Sequence, residues 1–453
     1  MIRPSQRPDI STQPRPAFPA SVPSPQPAQE QPRSIALGFG FAILIFELFI
    51  LRTRFFEYVL AGFRIPMITF LVLCLALLLS GRLFEALRYP CSLLFLMLLG
   101  WCGFASLFSI WRYNSLLAVQ ALTYSFAVFL GISAFAGTPH LVRRLIQWCG
   151  FFAVFTSIIV LIFGDKTAPR LVMPFGSYGD PNELGMAMLA GLPLIWYSAR
   201  FSRWPVTRLA FLVAQIPVLV VLVKTGSRGS MVALAMLIVV SFLKMPLLGK
   251  IKLVLASAAG VGLFFMFGSA YLKARLTTLF EPNLEKAEGL TVKEYEYLLG
   301  DVGSAEARRA LLKDSITTTL EQPLVGVGPG NFGLQRWLEF KEQTGRNIPQ
   351  QPTHNAFTQL SSEAGIPALL LFLGVIYTGF RNVRRFPSGF MPATPEAEEM
   401  EWAAFWVKAQ MISLFTGAFF LSLGYSGPHY MALGIAQAVG QARNILREGG
   451  KAQ

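Results

Sequence analysis

Charged residues are scarce in this chain. They make up 14% of its 453 residues, whereas 53% of the residues are hydrophobic and the mean hydropathy is +0.51. A soluble domain carries roughly a quarter charged residues. The shortage excludes an ordinary soluble enzyme and predicts an all-α, polytopic membrane protein.

Cysteine and histidine are also few, with four and three copies in the whole chain. The cysteines form no CxxC pair and no Cys/His spacing typical of zinc sites. All four fall in apolar stretches, as expected of small buried hydrophobic residues. The chain also lacks a Walker lysine motif and a DxD motif for a metal–nucleotide pair. We therefore expect neither a metal nor a cofactor.

Positive charge exceeds negative charge, and the net charge is +14. In a membrane protein, such an excess usually reflects Lys and Arg in the cytoplasmic loops. No basic run with interleaved aromatic residues is present, so we expect no nucleic-acid partner.

Residues 1–34 are rich in Pro, Ser, Gln and Arg and contain almost no bulky apolar residue. This composition predicts a disordered tail. The segment has no apolar core or cleavage site before Ile35, so it does not resemble a signal peptide.

Apolar runs long enough to cross the membrane recur along the chain, and we predict about twelve spans. Helices 1–9 fall within 35–270 and helices 10–12 within 354–445, with one long loop at 271–353, which is expected to hold short helices, and a short tail at 446–453. The predicted spans cover 35–51, 65–80, 90–110, 115–136, 142–163, 183–199, 206–223, 229–243, 251–270, 356–380, 402–423 and 427–443.

The distribution of Lys and Arg among the short loops predicts the orientation. If the N-terminus is cytoplasmic, the cytoplasmic loops hold more positive residues than the outer loops, which predicts that both termini are cytoplasmic. The long loop 271–353 then lies outside the cytoplasm. Chemistry on that face has no ATP or nucleotide sugar, so it needs a pre-activated donor such as a lipid pyrophosphate.

The segment Thr353-His354-Asn355-Ala356-Phe357 ends the long loop just before an apolar span. A histidine can exchange a proton near neutral pH without a metal. On one continuous helix over 354–380, His354, Thr358 and Ser361 would share a face, and Glu363 would lie about half a turn away. A helix break near Gly365 would change that relation. The alternative is that His354 is a helix-entry or interface residue.

Arginines lie at several boundaries between the outer loops and the membrane. Arg170 precedes Asp180-Pro181-Asn182, which predicts a turn and a capped helix start. Arg228 lies in a Gly-Ser-Arg-Gly-Ser turn whose amides and guanidinium group suit phosphate. Arg275 follows the ninth span, and Arg308 lies on an amphipathic segment of the long loop. The alternatives are interface anchors, solvated charges and, for Asp180, capping alone.

Two further features favour structural roles. Glu47 lies inside the first predicted span, and a carboxylate there is costly in lipid. It is therefore expected to pack against a polar neighbour. The glycine-rich segment 326–332 is too weak a pattern to assign to a ligand and is typical of a structural turn.

At these residues the chain resembles the O-antigen ligase and O-antigen polymerase superfamily of bacterial inner-membrane proteins. The resemblance covers roughly 35–445 and depends on four stretches in order: Arg170–Asn182, Ser227-Arg228-Gly229, Pro323–Phe332, and His354-Asn355 followed by Glu363-Ala364-Gly365. It implies a glycosyltransferase of the GT-C architecture in the inner membrane, acting on the periplasmic side. The implied partners are an undecaprenyl-pyrophosphate-linked glycan donor, a lipid A–core or other glycan acceptor, and membrane lipids.

Within this family a ligase joins the glycan to lipid A–core, and a polymerase joins one repeat unit to another. The single long outer loop with a histidine at its end is more similar to a ligase. A repeat-unit polymerase is the first alternative and a membrane transporter the second, although the two halves of the chain show no repeat.

A metal-independent, inverting transfer fits these residues. We assign His354 as general base, with Arg170 and Arg228 stabilising the pyrophosphate leaving group. The candidate substrate-binding residues are Arg275, Arg308, Asp180, Asn182, Asn355 and Glu363.

Overall fold

The structure is a computed structural model that describes residues 30–53, 64–165, 169–174, 177–277, 291–384 and 394–449. Within these residues the regular structure is helical, apart from an isolated antiparallel bridge between Asp165 and Val172. The all-α prediction is confirmed for this part of the chain.

Sixteen α-helices follow one another along the described chain. They are α1 (Glu30–Thr53), α2 (Ile65–Leu79), α3 (Arg82–Leu87), α4 (Pro90–Ala105), α5 (Arg112–Phe135), α6 (Pro139–Phe163), α7 (Pro181–Phe201), α8 (Pro205–Lys224), α9 (Arg228–Lys244), α10 (Leu247–Phe267), α11 (Ala270–Thr277), α12 (Val292–Glu321), α13 (Phe332–Thr344), α14 (Ala356–Asn382), α15 (Pro395–Ala418) and α16 (Pro428–Gly449).

Each predicted span falls on one of these helices. Seven of the described helices are long and apolar enough to cross a membrane, namely α4–α8, α10 and α14. The helices α1 and α2 contain shorter apolar stretches. A polytopic membrane protein is therefore supported, while twelve crossings and the GT-C architecture remain predictions.

Several predicted boundaries differ from the helix ends. Helix α1 begins at Glu30, inside the predicted tail, and residues 1–29 lie outside the described part of the chain. The span predicted to end at 423 stops at Ala418. The long loop contains the 30-residue helix α12, where only short helices were expected.

Helix α7 lies at the centre of the bundle, whereas the apolar stretch of α10 has no buried residue. Small residues let α7 approach α6 closely. A Cβ added to Gly191 would lie 2.2 Å from the Cβ of Ala153, and one added to Gly150 would lie 3.4 Å from the backbone nitrogen of Ile195. Such close backbone packing is typical of helices in membranes, where van der Waals contact drives association.

Two buried carboxylates inside the bundle, those of Glu47 and Glu399, accept side-chain hydrogen bonds. Tyr124 donates a hydrogen bond to Glu47, which confirms that this carboxylate packs against a polar neighbour. Nε of Arg143 donates to Oε1 of Glu399 over 2.6 Å, and the hydroxyl of Tyr197 donates to the same oxygen over 2.6 Å. This second group ties α6, α7 and α15 together.

The glycine-rich segment after α12 forms a clamp on α14. The backbone nitrogens of Val327 and Gly328 donate to the carbonyls of Ser362 and Glu363 over 3.0 and 2.9 Å. Helix α14 breaks at Gly365, which has φ 81° and ψ 173°. The structural interpretation of the glycine-rich turn is confirmed, and α14 contains the break near Gly365 that the sequence left open.

The break at Gly365 also leaves no room for a side chain. A Cβ there would lie 1.9 Å from the carbonyl oxygen of Leu324. Gly365→Ala is therefore expected to cost more than about 2 kcal/mol in the free energy of unfolding, since it adds a backbone clash to an unfavourable φ. A clearly lowered Tm of the purified protein in detergent is the expected result. Gly100→Ala on α4 is the control, because nothing lies within 4 Å of its added Cβ. An equal Tm for both variants would contradict the clamp.

Candidate active site

Arg170 is held by two hydrogen bonds at the end of the bundle where α7 and α9 begin. Its Nε donates to the carbonyl oxygen of Thr225 over 2.8 Å, and Nη2 donates to Oδ1 of Asn182 over 2.9 Å. Asp180 caps α7 by accepting from the backbone nitrogen of Asn182 over 2.7 Å. The predicted capping turn is confirmed, and it places Asn182 where its amide orients Arg170.

The turn between α8 and α9 brings in two further arginines. Gly226 has φ 58°, and its carbonyl oxygen accepts from Nε of Arg275 over 2.7 Å. Nε of Arg228 lies 3.3 Å from the carbonyl oxygen of Arg275. Ser227 caps α9 by accepting from the backbone nitrogen of Ser230. The turn thus interlocks with α11, although Arg275 is distant from it in sequence.

Arg308 on α12 completes the group. Its Nε is buried and has no hydrogen-bond partner among the described residues. Arg308 lies within electrostatic range of Arg228 and Asp180. We call Arg170, Arg228, Arg275 and Arg308 the arginine cluster.

The arginine cluster is a concentration of poorly solvated positive charge. Burial, followed by the charge of Arg170, lowers the pKa of Arg275 to about 9. Burial likewise lowers the pKa of Arg170 to about 10, with smaller opposing effects of Tyr271 and Asp180. Like charges and poor solvation both disfavour a protonated guanidinium group. An anion between these groups would offset the repulsion between the guanidinium groups and would replace the missing solvent. The geometry therefore favours an anionic ligand.

His354 lies beside this cluster, within electrostatic range of Arg308 and Asp180. Its backbone is in the left-handed region, with φ 53°, and its nitrogen donates to Oγ of Ser422 over 2.8 Å. Burial, followed by the charge of Arg308, lowers the pKa of the imidazole below 6.5. The neutral imidazole therefore predominates at pH 7, and it is the form that can accept a proton.

Asn355 forms the start of α14. Its Oδ1 accepts from the backbone nitrogens of Phe357 and Thr358 over 2.9 and 3.2 Å. Because the helix begins at Ala356, His354 lies outside it and does not share a helical face with Thr358 and Ser361. The single helix over 354–380 on which that shared face depended is therefore not present, since the Asn355 cap turns the chain before the first helical residue.

Glu363 is separate from the arginine cluster. The side chain is buried, and its carboxylate accepts from the backbone nitrogens of Gly330 and Phe332 over 2.7 and 3.4 Å. It supports the glycine-rich clamp. The structure therefore brings together the four arginines, Asp180, Asn182 and His354, and it gives Asn355 and Glu363 structural contacts.

Sequence reasoning missed Ser422, Thr225 and Tyr271. Ser422 fell inside a predicted span, and only the early end of α15 reveals its contact with His354. Thr225 acts through its backbone carbonyl, which carries no sequence signal. Tyr271 lies one helical turn before Arg275 and its hydroxyl lies 3.4 Å from Nη1 of Arg275. The spacing of four residues between Tyr271 and Arg275 was the one sequence signal that could have revealed this contact.

An apolar groove of about 1720 Å³ opens beside the arginine cluster. It runs between α8, α9 and α10 across the apolar layer. Leu171 and Leu272 line the end near the arginine cluster, and Arg200 and Lys252 line the other end. Leu272 also touches the arginine-bearing turn, since a Cβ on Gly226 would lie 3.0 Å from its Cδ2. A long apolar chain in the groove would therefore present its polar end to the cluster.

Residues 210–373 match the family model described as O-antigen ligase. This match confirms the resemblance over that part of the chain and supports a membrane enzyme of the ligase and polymerase kind in lipopolysaccharide biosynthesis. The matched region includes Arg228, Arg275, Arg308 and His354, whereas Arg170 precedes it. No curated protein shows significant similarity to the chain.

The arginine cluster predicts a trade-off between stability and anion binding. Arg308→Gln removes one repelling charge, so its Tm in detergent should equal or exceed that of the wild type. Inorganic pyrophosphate should raise the Tm of the wild type, and this rise should fall at least several-fold in Arg308→Gln. Arg309→Gln is the matched control, because Arg309 is the adjacent exposed residue on α12. A pyrophosphate effect that depends equally on both residues would contradict a specific site.

Proposed function

We propose that this protein transfers a glycan from undecaprenyl pyrophosphate to a sugar hydroxyl on the periplasmic side of the bacterial inner membrane, as an O-antigen ligase acting on lipid A–core. The observation that carries the proposal is the meeting of the arginine cluster, the neutral His354 and the mouth of an apolar groove within an O-antigen ligase domain.

The groove suits the polyprenyl chain of the donor. Its walls are mostly apolar, and it extends from Leu171 and Leu276 at the outer end to Met245 at the other. Since α10 has no buried residue in its apolar stretch, the groove is open toward the lipid beside this helix. A lipid-linked donor would enter sideways from the bilayer and place its pyrophosphate among the arginines.

The arginine cluster would stabilise the leaving group. As the bond between the anomeric carbon and the pyrophosphate oxygen breaks, the electron pair stays on that oxygen and negative charge increases there. Guanidinium groups bind such oxygens bidentately and need no protonation step. Arg170, Arg228 and Arg275 are already fixed by backbone carbonyls or Asn182, so little reorganisation accompanies the charge development.

His354 would act as the general base. The acceptor hydroxyl oxygen forms a bond to the anomeric carbon, its proton moves to the neutral imidazole, and undecaprenyl pyrophosphate departs. Attack opposite the leaving group inverts the anomeric configuration. Ser422 holds the backbone of His354 from the segment after α15, so it is a positioning residue.

The transfer assay uses purified full-length protein, an undecaprenyl-pyrophosphate glycan and lipid A–core. His354→Asn should lower the rate of transfer about 10²- to 10⁴-fold, because the base is lost. Asn tolerates the left-handed backbone at this position better than Ala. Donor binding and Tm should stay near wild type. Arg346→Gln, an exposed change in the same outer region, is the control. Transfer near the wild-type rate in His354→Asn would rule out His354 as the general base.

The products separate the alternatives. Glycan on lipid A–core identifies a ligase. Longer lipid-linked glycan without a lipid A product identifies a repeat-unit polymerase. If the protein binds the donor but transfers glycan to no acceptor from the native host, the result would contradict the glycosyltransferase assignment and favour a transporter.

The pH dependence of kcat/KM provides a second test. The protonated imidazole cannot accept a proton, so kcat/KM should fall as the pH drops through the lowered pKa of His354. The acid limb should therefore lie below pH 6.5, with a plateau at neutral pH. Arg308→Gln removes a neighbouring cation and should move the limb to higher pH, whatever its effect on the maximum rate. Arg309→Gln should leave the limb in place. If the acid limb does not move in Arg308→Gln, the result would contradict the assignment of His354 as the general base.

A further inference from the structure

A second pocket, of about 1080 Å³, lies between α1, α6 and the start of α8. Helix α6 begins at Pro139 near this pocket and ends at Phe163, shortly before the segment that carries Arg170. The pocket is therefore at the end of the bundle opposite the arginine cluster. It plays no part in the proposed transfer.

The part of the pocket inside the apolar layer has aromatic walls. Phe41, Phe46 and Phe49 contribute from α1, and Trp148 and Phe151 contribute from α6. Phe46, Trp148 and Phe151 are exposed in the protein alone. Apolar surface of this kind suits acyl chains and offers no hydrogen bonds to water.

The rim of the pocket is basic. His140 and Arg144 project from the first turns of α6, and Arg203 follows α7. Both arginines are exposed, and both lie within electrostatic range of His140. Arg143 also lines the rim, but its charge is offset by Glu399. None of the described lining residues is acidic, and Glu396 affects His140 only from beyond the rim.

The aromatic walls and the basic rim together suit one chemical class of ligand. An anionic ligand in water alone would use the arginines and leave the aromatic walls empty. A zwitterionic lipid would fill the walls and bring no net charge to the arginines. A phospholipid with a net negative headgroup satisfies both parts, as basic pockets between membrane helices do.

We propose that the pocket between α1, α6 and α8 binds an anionic phospholipid, with its phosphate between Arg144 and Arg203 and its acyl chains along the aromatic walls. Under the predicted orientation the lipid belongs to the cytoplasmic leaflet. The site would fill the gap between α1 and α8 and stabilise their packing. This proposal is independent of the proposed transfer reaction.

The test is native mass spectrometry of the full-length protein in detergent, titrated with phosphatidylglycerol, with phosphatidylcholine as the zwitterionic comparison. Arg144→Gln/Arg203→Gln should weaken phosphatidylglycerol binding roughly 10- to 30-fold, given the usual contribution of an arginine near a lipid headgroup. Phosphatidylcholine binding should not change. Arg88→Gln/Arg384→Gln is the matched control, because it removes the same charge from two exposed arginines outside the pocket.

A second variant tests the apolar half without touching the charges. Ala42 lines the pocket and is exposed, so Ala42→Trp would occupy the acyl-chain space without removing any packing. It should weaken phosphatidylglycerol binding several-fold while leaving the Tm of the lipid-free protein unchanged. Glycerol phosphate, which has no acyl chains, should not compete at equal concentration.

Three results would overturn the proposal. The first is an equal loss of phosphatidylglycerol binding in Arg144→Gln/Arg203→Gln and in Arg88→Gln/Arg384→Gln, which indicates general charge attraction. The second is competition by glycerol phosphate as strong as by the lipid, which indicates a simple anion site. The third is unchanged phosphatidylglycerol binding in both Arg144→Gln/Arg203→Gln and Ala42→Trp.

Discussion

The carboxyl end of α8 is the point on which the candidate site depends. A helix leaves its last carbonyl groups without helical partners, and they carry partial negative charge. In this protein the carbonyls just after α8, those of Thr225 and Gly226, accept from the guanidinium groups of Arg170 and Arg275. Two segments distant in sequence are thus fixed on one turn. Because Arg228 begins the next helix, the same turn also delivers a third cation.

This arrangement explains how the arginine cluster persists with little acidic compensation. Backbone carbonyls and the amide of Asn182 satisfy guanidinium hydrogen bonds without neutralising the positive charge. A carboxylate in their place would form ion pairs and compete with a phosphate ligand. The remaining repulsion is a cost to folding, which the clamp around Gly365 and the close packing of α6 and α7 help to offset. Sites that bind anions often combine such local instability with a rigid scaffold.

The sequence predicted the helices well because long apolar runs are a local signal, and each predicted span lies on a helix. It also named as candidates the four arginines that meet in the cluster. What it could not predict depends on the rotation and ends of helices. Arg308 and Arg309 are adjacent and chemically identical, and only the packing of α12 makes one half-buried and the other exposed. His354 was considered on one continuous helix over 354–380, although the N-cap preference of Asn355 was a local signal for a helix that begins at Ala356. The contact of Ser422 arose where an apolar run continues beyond the end of its helix.

The proximity of Arg308 to His354 gives the proposed reaction an order. In the free protein, this cation and burial keep the imidazole neutral and also make it a weak base. A pyrophosphate bound in the arginine cluster would offset the charge of Arg308, and the pKa of His354 would then rise. The imidazole would become a stronger base once the donor is in place. Deprotonation of the acceptor hydroxyl would thus be coupled to donor binding through the electrostatic field of one arginine, with no movement of the backbone.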